Sequence, residues 1–455
     1  MSDSASEPTP VPRLPAGFIW GASTAAYQIE GADGADGKGV SIWDTFVRRP
    51  GAVRDGHTGE VACDHYHRFS EDVALMRRLG LDAYRFSICW PRVLPAGAGR
   101  VEPRGLDFYD RLVDALLGAG IEPLPTLFHW DLPQALEDDG GWLNRETACR
   151  FGEFAAVAAE RLGDRVKRWI TLNEPFVHMS FGYGFGIHAP GRTLMLDALP
   201  AAHHQLLGHG YAASALRAAV PGAQVLIANN CTPVRLRSDA RRDADLTAAS
   251  AYDTLHNRLF NDPVMLASYP DLSAYGISAS SWEGVVRDGD LTVIGQPLDG
   301  LGINYYNPTW VTAPADPPSG LPFGLAEPEE PYRRTLSGWP VVPDGLTELL
   351  TGLKARYGDA LPPVWITENG CSEPAGLQDQ ARIDYLAAHI TAVAEAADHG
   401  VDVRGYFTWS LLDNFEWAEG YHQRFGLVEV DFATQLRSPR ASFEWYRQLI
   451  ASQRG

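Results

Sequence analysis

Eight short apolar runs recur along this chain, each followed by a longer amphipathic stretch, and few folds accommodate that alternation. They are GFIWGAS (17–23), LDAYRFSI (81–88), IEPLPTLF (121–128), VKRWITL (166–172), AQVLIAN (223–229), LDGLGIN (298–304), PVWITE (363–368) and VRGYFTW (403–409). Each is rich in β-branched or aromatic residues and bounded by Gly, Pro or polar turns, as buried parallel strands are. The helices between them have readable ends. Ser70 is expected to cap a helix carrying Val73, Met76 and Leu79 that stops at Gly80. Asn144 is expected to cap one with Phe151, Phe154 and Val157 on one face, and Asp379 opens one closed by Gly400. Eight strands alternating with eight helices predict the α/β class: a single (β/α)8 TIM barrel with elaborated loops at its C-terminal face.

The 455 residues suit one long barrel, and no linker or repeat divides them. Residues 1–12 (MSDSASEPTPVP) read as a disordered tail and 13–455 as the barrel domain. The longest interruption, 305–342, is Pro- and Gly-rich and follows the sixth strand, so it is expected to border the barrel mouth. A net charge of −19 disfavours nucleic acid and anionic membranes as partners, since both demand basic patches. No run reaches membrane-span length and the N-terminus lacks an apolar signal core. Five scattered cysteines without C-x-x-C spacing point to free thiols, and hence to the cytoplasm.

In a parallel barrel, functional residues sit where strands end. The fourth strand delivers Thr171-Leu172-Asn173-Glu174-Pro175 and the seventh Ile366-Thr367-Glu368-Asn369-Gly370. Two glutamates emerging from different strands can converge over the mouth. Two carboxyls flanking an anomeric carbon are what glycosidic hydrolysis needs: one protonates the leaving oxygen, and the other attacks carbon or activates water. A Glu at one strand end is usually a solvated loop residue. The pair, in this context, is not.

With those motifs, T-L-N-E-P and I-T-E-N-G, the chain from Phe18 to about Tyr446 resembles glycoside hydrolase family 1, the β-glucosidase family. The resemblance implies a retaining exo-β-glycosidase with Glu174 as acid/base and Glu368 as nucleophile, their carboxyls about 5–5.5 Å apart. It implies that Gln28 holds the 3- and 4-hydroxyls, His129 and Trp130 the 3-hydroxyl, and Asn173 the 2-hydroxyl. Glu416 and Trp417, in DNFEW, look like the clamp for the 4- and 6-hydroxyls. Trp409 resembles the stacking platform and Phe425 a wall of the pocket. Arg85 and Tyr306 resemble residues that keep the nucleophile ionised, with Asn304 on the same wall. The implied substrates are small-molecule β-glucosides and cello-oligosaccharides, with β-galactosides or β-fucosides also accepted. No cofactor or metal is implied.

Two departures stand out. Phe176 occupies a position on the leaving-group side where the family often has Trp, which puts aglycone preference in question. Cys89 stands where the family often has Ser, and reads as a tolerated swap on a buried strand. Cys63, Asp64, His65 and His67 resemble a metal cluster on paper, but neighbours in one short segment cannot all converge on one ion. His203, His204 and His209 read as helix-surface or packing residues, and the run 239–245 as a solvated segment. A 6-phospho-β-glycosidase would carry a phosphate site in the last loop, where Glu416 would repel it. A thioglucosidase would typically have Gln in place of Glu174. A non-catalytic sugar-binding relative, the reading from another class, would usually have lost one or both glutamates.

Overall fold

Eight strands close into a parallel barrel: β1 Ile19–Ser23, β2 Ala83–Ser87, β3 Glu122–Phe128, β4 Arg168–Asn173, β5 Gln224–Asn230, β6 Gly300–Asn304, β7 Val364–Asn369 and β8 Val403–Trp409. Each neighbours its sequence neighbour, and β8 closes on β1 with Ser23 opposite Trp409. The computed structural model describes residues 11–237, 243–275, 284–314 and 320–454. Residues 1–10 of the expected tail and 239–242 of the charge run lie outside them, while Asp243 opens a helix, Asp243–Asp253.

The barrel interior is filled by Ala83, Leu124, Ile170, Leu226, Ala228, Trp365 and Phe407. Large rings fit because small residues face them. A Cβ on Gly21 would lie 2.2 Å from the Phe407 ring, so β1 accepts only glycine there. The larger core lies between the strands and the ring of helices His65–Leu79, Pro103–Gly118, Glu146–Leu162, Leu199–Ala219, Asp243–Asp253, Asp344–Tyr357, Gln380–Asp398 and Ala441–Arg454.

The helix ends match expectation unevenly. Gly80, at φ 77°, stops the first of these helices, its N–H bonding back to Met76 and Arg77. The same helix starts at His65, so Ser70 lies inside it rather than capping it. The turn is made by Asp64 at φ 50°, a left-handed conformation that Asp tolerates. Asn144 accepts the Glu146 N–H at 3.0 Å, and Asp379 directly precedes its helix. Helix Leu199–Ala219 buries all three histidines that could have faced solvent. His209 meets Thr171 at 2.7 Å, His204 the Trp142 carbonyl at 2.9 Å and His203 Asp290 at 2.9 Å. They are packing residues.

The 305–342 segment contributes two short strands, Thr309–Thr312 and Gly324–Ala326, to a small sheet with Val234–Arg235. Among its described residues Tyr306, Phe323, Leu336 and Trp339 line the cavity at the mouth, as its length led us to expect. Among the described residues, no helix is long and apolar enough to cross a membrane.

Candidate active site

β4, β5 and β7 each run one residue further toward the mouth than their apolar runs indicate. Asn173, Asn230, Asn304 and Asn369 are the last residues of β4, β5, β6 and β7. Register irregularities interrupt the pairing of β4 with β5 before Asn173, and of β7 with both neighbours after Ile366. Such irregularities re-aim side chains at barrel rims. Glu174, just past β4, has φ 46°, and Trp130 and Trp417 also adopt positive φ, 72° and 49°. Left-handed backbone at bulky residues costs about 1–3 kcal/mol each and clusters where a side chain must be aimed. Gly370 is needed because the Trp409 carbonyl approaches to 1.8 Å from where its Cβ would stand.

The two glutamates are buried at 6% and 4% exposure and stand in unlike surroundings. Arg85, itself wholly buried, donates to Glu368 Oε1 at 2.6 Å, and Tyr306 donates to Glu368 Oε2 at 2.9 Å. Arg85 also reaches Asn173 Oδ1 at 2.5 Å and Thr126 at 3.2 Å, which fixes its plane. Glu174 Oε1 receives only neutral amides, Asn304 at 2.8 Å and Asn230 at 3.4 Å. Burial pushes Glu174 up to about 8, with the Glu368 charge adding to the rise. Burial raises Glu368 too, opposed by the Arg85 cation and the Tyr306 phenol. A cation stabilises a carboxylate far more than amides do, so the pair's proton resides on Glu174 and its charge on Glu368. Asn304 ties this side of the site together, donating to both Glu174 and Asn173 and accepting from Thr367.

Beyond the pair, two further polar atoms on residues expected to bind sugar are buried without partners. Gln28 donates its Nε2 to Asn414, Phe415 O and, at 3.3 Å, Glu416, leaving Oε1 unpaired. Asn173 Nδ2 donates to His129 Nε2 at 3.0 Å, so the proton of this imidazole is on Nδ1, which has no partner. Burial keeps His129 neutral by holding its pKa well below the usual value. These two atoms are a preset acceptor and a preset donor. Trp130 lines the cavity beside His129, its indole N–H donating to the Asn173 carbonyl at 2.9 Å. Trp417 packs against Trp43 and Trp130 at 4.7 Å, and Trp409 forms a cluster with Phe425, Ala25 and Tyr306. Burial and the charge of Glu368 push Glu416 up to about 8.

The cavity of about 1220 Å³ includes Glu174, Glu368, Trp409, Glu416, Trp417 and Phe425 in its lining. Its volume exceeds that of a single small-ligand pocket. The outer part is apolar, with Phe176, Phe181, Phe185, Ile187, Leu325 and Leu336. Phe176 stacks on His256 with ring centroids 3.9 Å apart. Sequence reasoning missed Asn230, His256 and Trp339. Asn230 carries the strand-end signal that picked out Asn173, but no motif accompanies it.

The residues read on paper as a metal cluster do not converge. His65 meets Asp72 at 2.7 Å, His67 meets Asp64 at 2.6 Å, and the Cys63 thiol donates to the Asp413 carbonyl at 2.9 Å. Among the described residues, Asp55, His57 and His422 at the rim are near enough to share an ion. His422 Nε2 already meets Asp55 at 2.8 Å, and His57 Nδ1 accepts the Tyr421 N–H at 3.2 Å. Cys89 lies just past β2 rather than on it. It faces Asp131, two residues beyond His129, which is wholly buried with no hydrogen-bond partner of normal geometry on either oxygen. Burial and the nearby Glu30 push Asp131 up to about 7, the weak Cys89 thiol and the Lys38 charge opposing.

Comparison with known proteins extends this picture over the whole chain. The model of glycosyl hydrolase family 1 matches residues 11–454. "Beta-glucosidase A" of Thermotoga maritima is 44% identical, over 97% of this chain and 98% of its own length. A bifunctional β-D-glucosidase/β-D-fucosidase of Bifidobacterium breve is 44% identical, over 96% of this chain and 98% of its own. The solved structure of a Thermotoga maritima β-glucosidase in complex with glucoimidazole superposes with a TM-score of 0.91 at 42% identity, covering 97% of this chain and 99% of that one. The chain belongs to glycosyl hydrolase family 1, on the (β/α)8 barrel described above.

Proposed function

We propose that this protein is a retaining exo-β-glucosidase in which Glu368 is the nucleophile and Glu174 the general acid/base. The asymmetric surroundings of the two carboxyls carry the reading: Glu368 faces a buried cation and a phenol, Glu174 only amides. The glycon rests on Trp409. Gln28 Oε1 and the His129 Nδ1–H take its hydroxyls at the closed end, beside Glu416 and Trp417. Glu368 attacks the anomeric carbon while Glu174 protonates the departing oxygen, giving a covalent glycosyl-enzyme. The attack removes the charge of Glu368 that held Glu174 protonated. Glu174 then ionises more readily and serves as base toward water. Asn173, held by Arg85 and Asn304, is placed for the 2-hydroxyl, a contact that strengthens in the transition state.

The glycon end reads hydroxyls more than it excludes epimers, which favours activity on β-fucosides and β-galactosides as well. The apolar outer cavity favours aryl and alkyl aglycones over the second sugar of cello-oligosaccharides, since apolar contact area drives their binding. Residues 13–455 act as one catalytic unit. The five free cysteines support a reducing, cytoplasmic setting.

The test uses wild type, Glu174→Ala and Glu368→Ala on an activated aryl β-glucoside with and without azide. Azide is expected to rescue Glu174→Ala to a β-glucosyl azide and Glu368→Ala to an α-glucosyl azide. Exchanged products overturn the role assignment. A wild type inactive on glucoside, galactoside, fucoside and 6-phosphoglucoside overturns the enzyme reading.

A further inference from the structure

Glu174 is served by a hydrogen-bonded chain that no motif announces, and its direction can be deduced. Asn230 Nδ2 donates to Glu174 Oε1 at 3.4 Å, so its Oδ1 must face the other way, toward His256 Nε2 at 2.9 Å. An amide oxygen accepts, so His256 Nε2 carries a proton. Burial drives the pKa of His256 down to about 3, which makes the imidazole neutral at working pH and leaves Nδ1 bare. Nδ1 therefore accepts from the Tyr252 hydroxyl at 3.0 Å, and with its one proton so committed the Tyr252 oxygen accepts from the Thr309 hydroxyl at 3.4 Å. Every donor points the same way, from Tyr252 through His256 and Asn230 to Glu174.

The end of that chain decides where the acid proton sits. Oε1 of Glu174 already faces the N–H groups of Asn304 and Asn230. The proton of the neutral acid is thereby directed to Oε2, which has no hydrogen-bond partner among the described residues. A freely turning Asn230 could present its carbonyl instead. That arrangement would hold the proton on Oε1 in an O–H···O=C bond, aimed at protein. His256 is 6% exposed, hydrogen-bonded at both nitrogens and stacked face to face on Phe176, two residues from Glu174. Its tautomer is locked, and with it the amide.

We propose that His256 is a positioning residue that, by fixing the orientation of Asn230, keeps the proton of Glu174 on the substrate-facing oxygen. It touches no substrate and acts through Asn230. The proposal rests on the acid/base reading of Glu174. It also accounts for a histidine buried between an aromatic ring and a strand-end amide, where a plain apolar side chain would pack as well.

The test compares His256→Phe, which keeps a ring against Phe176 but removes both nitrogens, with His256→Gln, which restores an N–H donor. Tyr252→Phe removes the far donor while leaving the imidazole in place, and serves if His256→Phe fails to fold. kcat/KM is measured on phenyl β-glucoside, whose leaving group needs the acid, and on 2,4-dinitrophenyl β-glucoside, whose leaving group does not. Acid catalysis contributes about 10²–10⁴ in rate. His256→Phe is expected to lose about tenfold or more on the phenyl substrate, with less than about twofold loss on the dinitrophenyl one. The alkaline limb of the pH profile should move upward, because an amide N–H favouring the ionised form has been lost. His256→Gln should recover most of both effects, and Tyr252→Phe should shift in the same direction as His256→Phe, by less. Equal losses on both substrates, or an unmoved limb, overturn the proposal and leave His256 as packing. Glu174→Ala is run alongside. If it too lacks leaving-group dependence, the acid/base reading itself has failed.

Discussion

Asp131 offers a test of the electrostatics in which no substrate is involved. Its carboxyl is pushed from 3.8 up to about 7 by burial and by Glu30, so the folded protein holds a proton there that the unfolded chain has released. Stability then falls with rising pH across that window: the contribution is fully present below about 3.8 and lost as pH rises through 7. Integrating the linkage gives about 2 kcal/mol lost between pH 5 and 7, and about 4 kcal/mol over the whole window. Asp131→Asn removes the titration and keeps the shape. Its stability relative to wild type should climb by about 2 kcal/mol from pH 5 to 7, or about 2 °C in melting temperature for a chain of this length. Cys89→Ser replaces a weak thiol donor with a hydroxyl, which favours the ionised form and should shrink the same loss. Urea midpoints and melting curves of the three proteins at pH 5, 6, 7 and 8 make the measurement. Curves for wild type and Asp131→Asn that run parallel from pH 5 to 7 would refute the reasoning, since a pH-independent offset reflects packing alone.

Other expectations follow from the site. With Glu174 near 8, kcat/KM on an aryl β-glucoside should fall as pH rises through about 8, where the acid loses its proton; a flat profile to pH 10 would count against it. Gln28→Ala deletes a buried acceptor and should cost about 1–3 kcal/mol in kcat/KM, roughly 5- to 150-fold, alongside a lower melting temperature because Asn414 and the Phe415 carbonyl lose their buried donor. A loss below about threefold would mean Oε1 holds no hydroxyl. Gly370→Ala drives a methyl into the Trp409 carbonyl and should destabilise the fold by about 3 kcal/mol or displace Trp409; near wild-type stability together with near wild-type activity would show that the close approach relaxes freely.

What could be read from the chain and what could not divide along a physical line. Apolar runs announce strands, and the barrel rule turns strand ends into site positions, so Asn173, Glu174, Asn304, Glu368 and Trp409 were legible before any coordinate. Local chemistry marked the stop at Gly80 because a left-handed residue there favours glycine. It misplaced the start of the same helix: Asp64 makes that turn through its own backbone, with Ser70 a plausible cap one turn too late. Donor direction was the least legible property. Nothing in the sequence announces that the Trp130 N–H meets the Asn173 carbonyl, and His256 has no signature because its role depends on an amide 26 residues away.

The same line explains why the two glutamates could be told apart at all. Residue type gives two identical acids, and even strand order gives only their convergence. Their difference comes from donors supplied by other strands: Arg85 from β2 and Tyr306 after β6 on one side, Asn230 from β5 and Asn304 from β6 on the other. Arg85 bridges Glu368 to Asn173, and Asn304 bridges Asn173 to Glu174, so a single hydrogen-bonded path links the two carboxyls through the residue expected to hold the 2-hydroxyl. Substrate bound at Asn173 therefore bears on both carboxyls at once. Changes at Arg85 or Asn304 should disturb acid and nucleophile together, whereas changes along the His256 chain should disturb the acid alone.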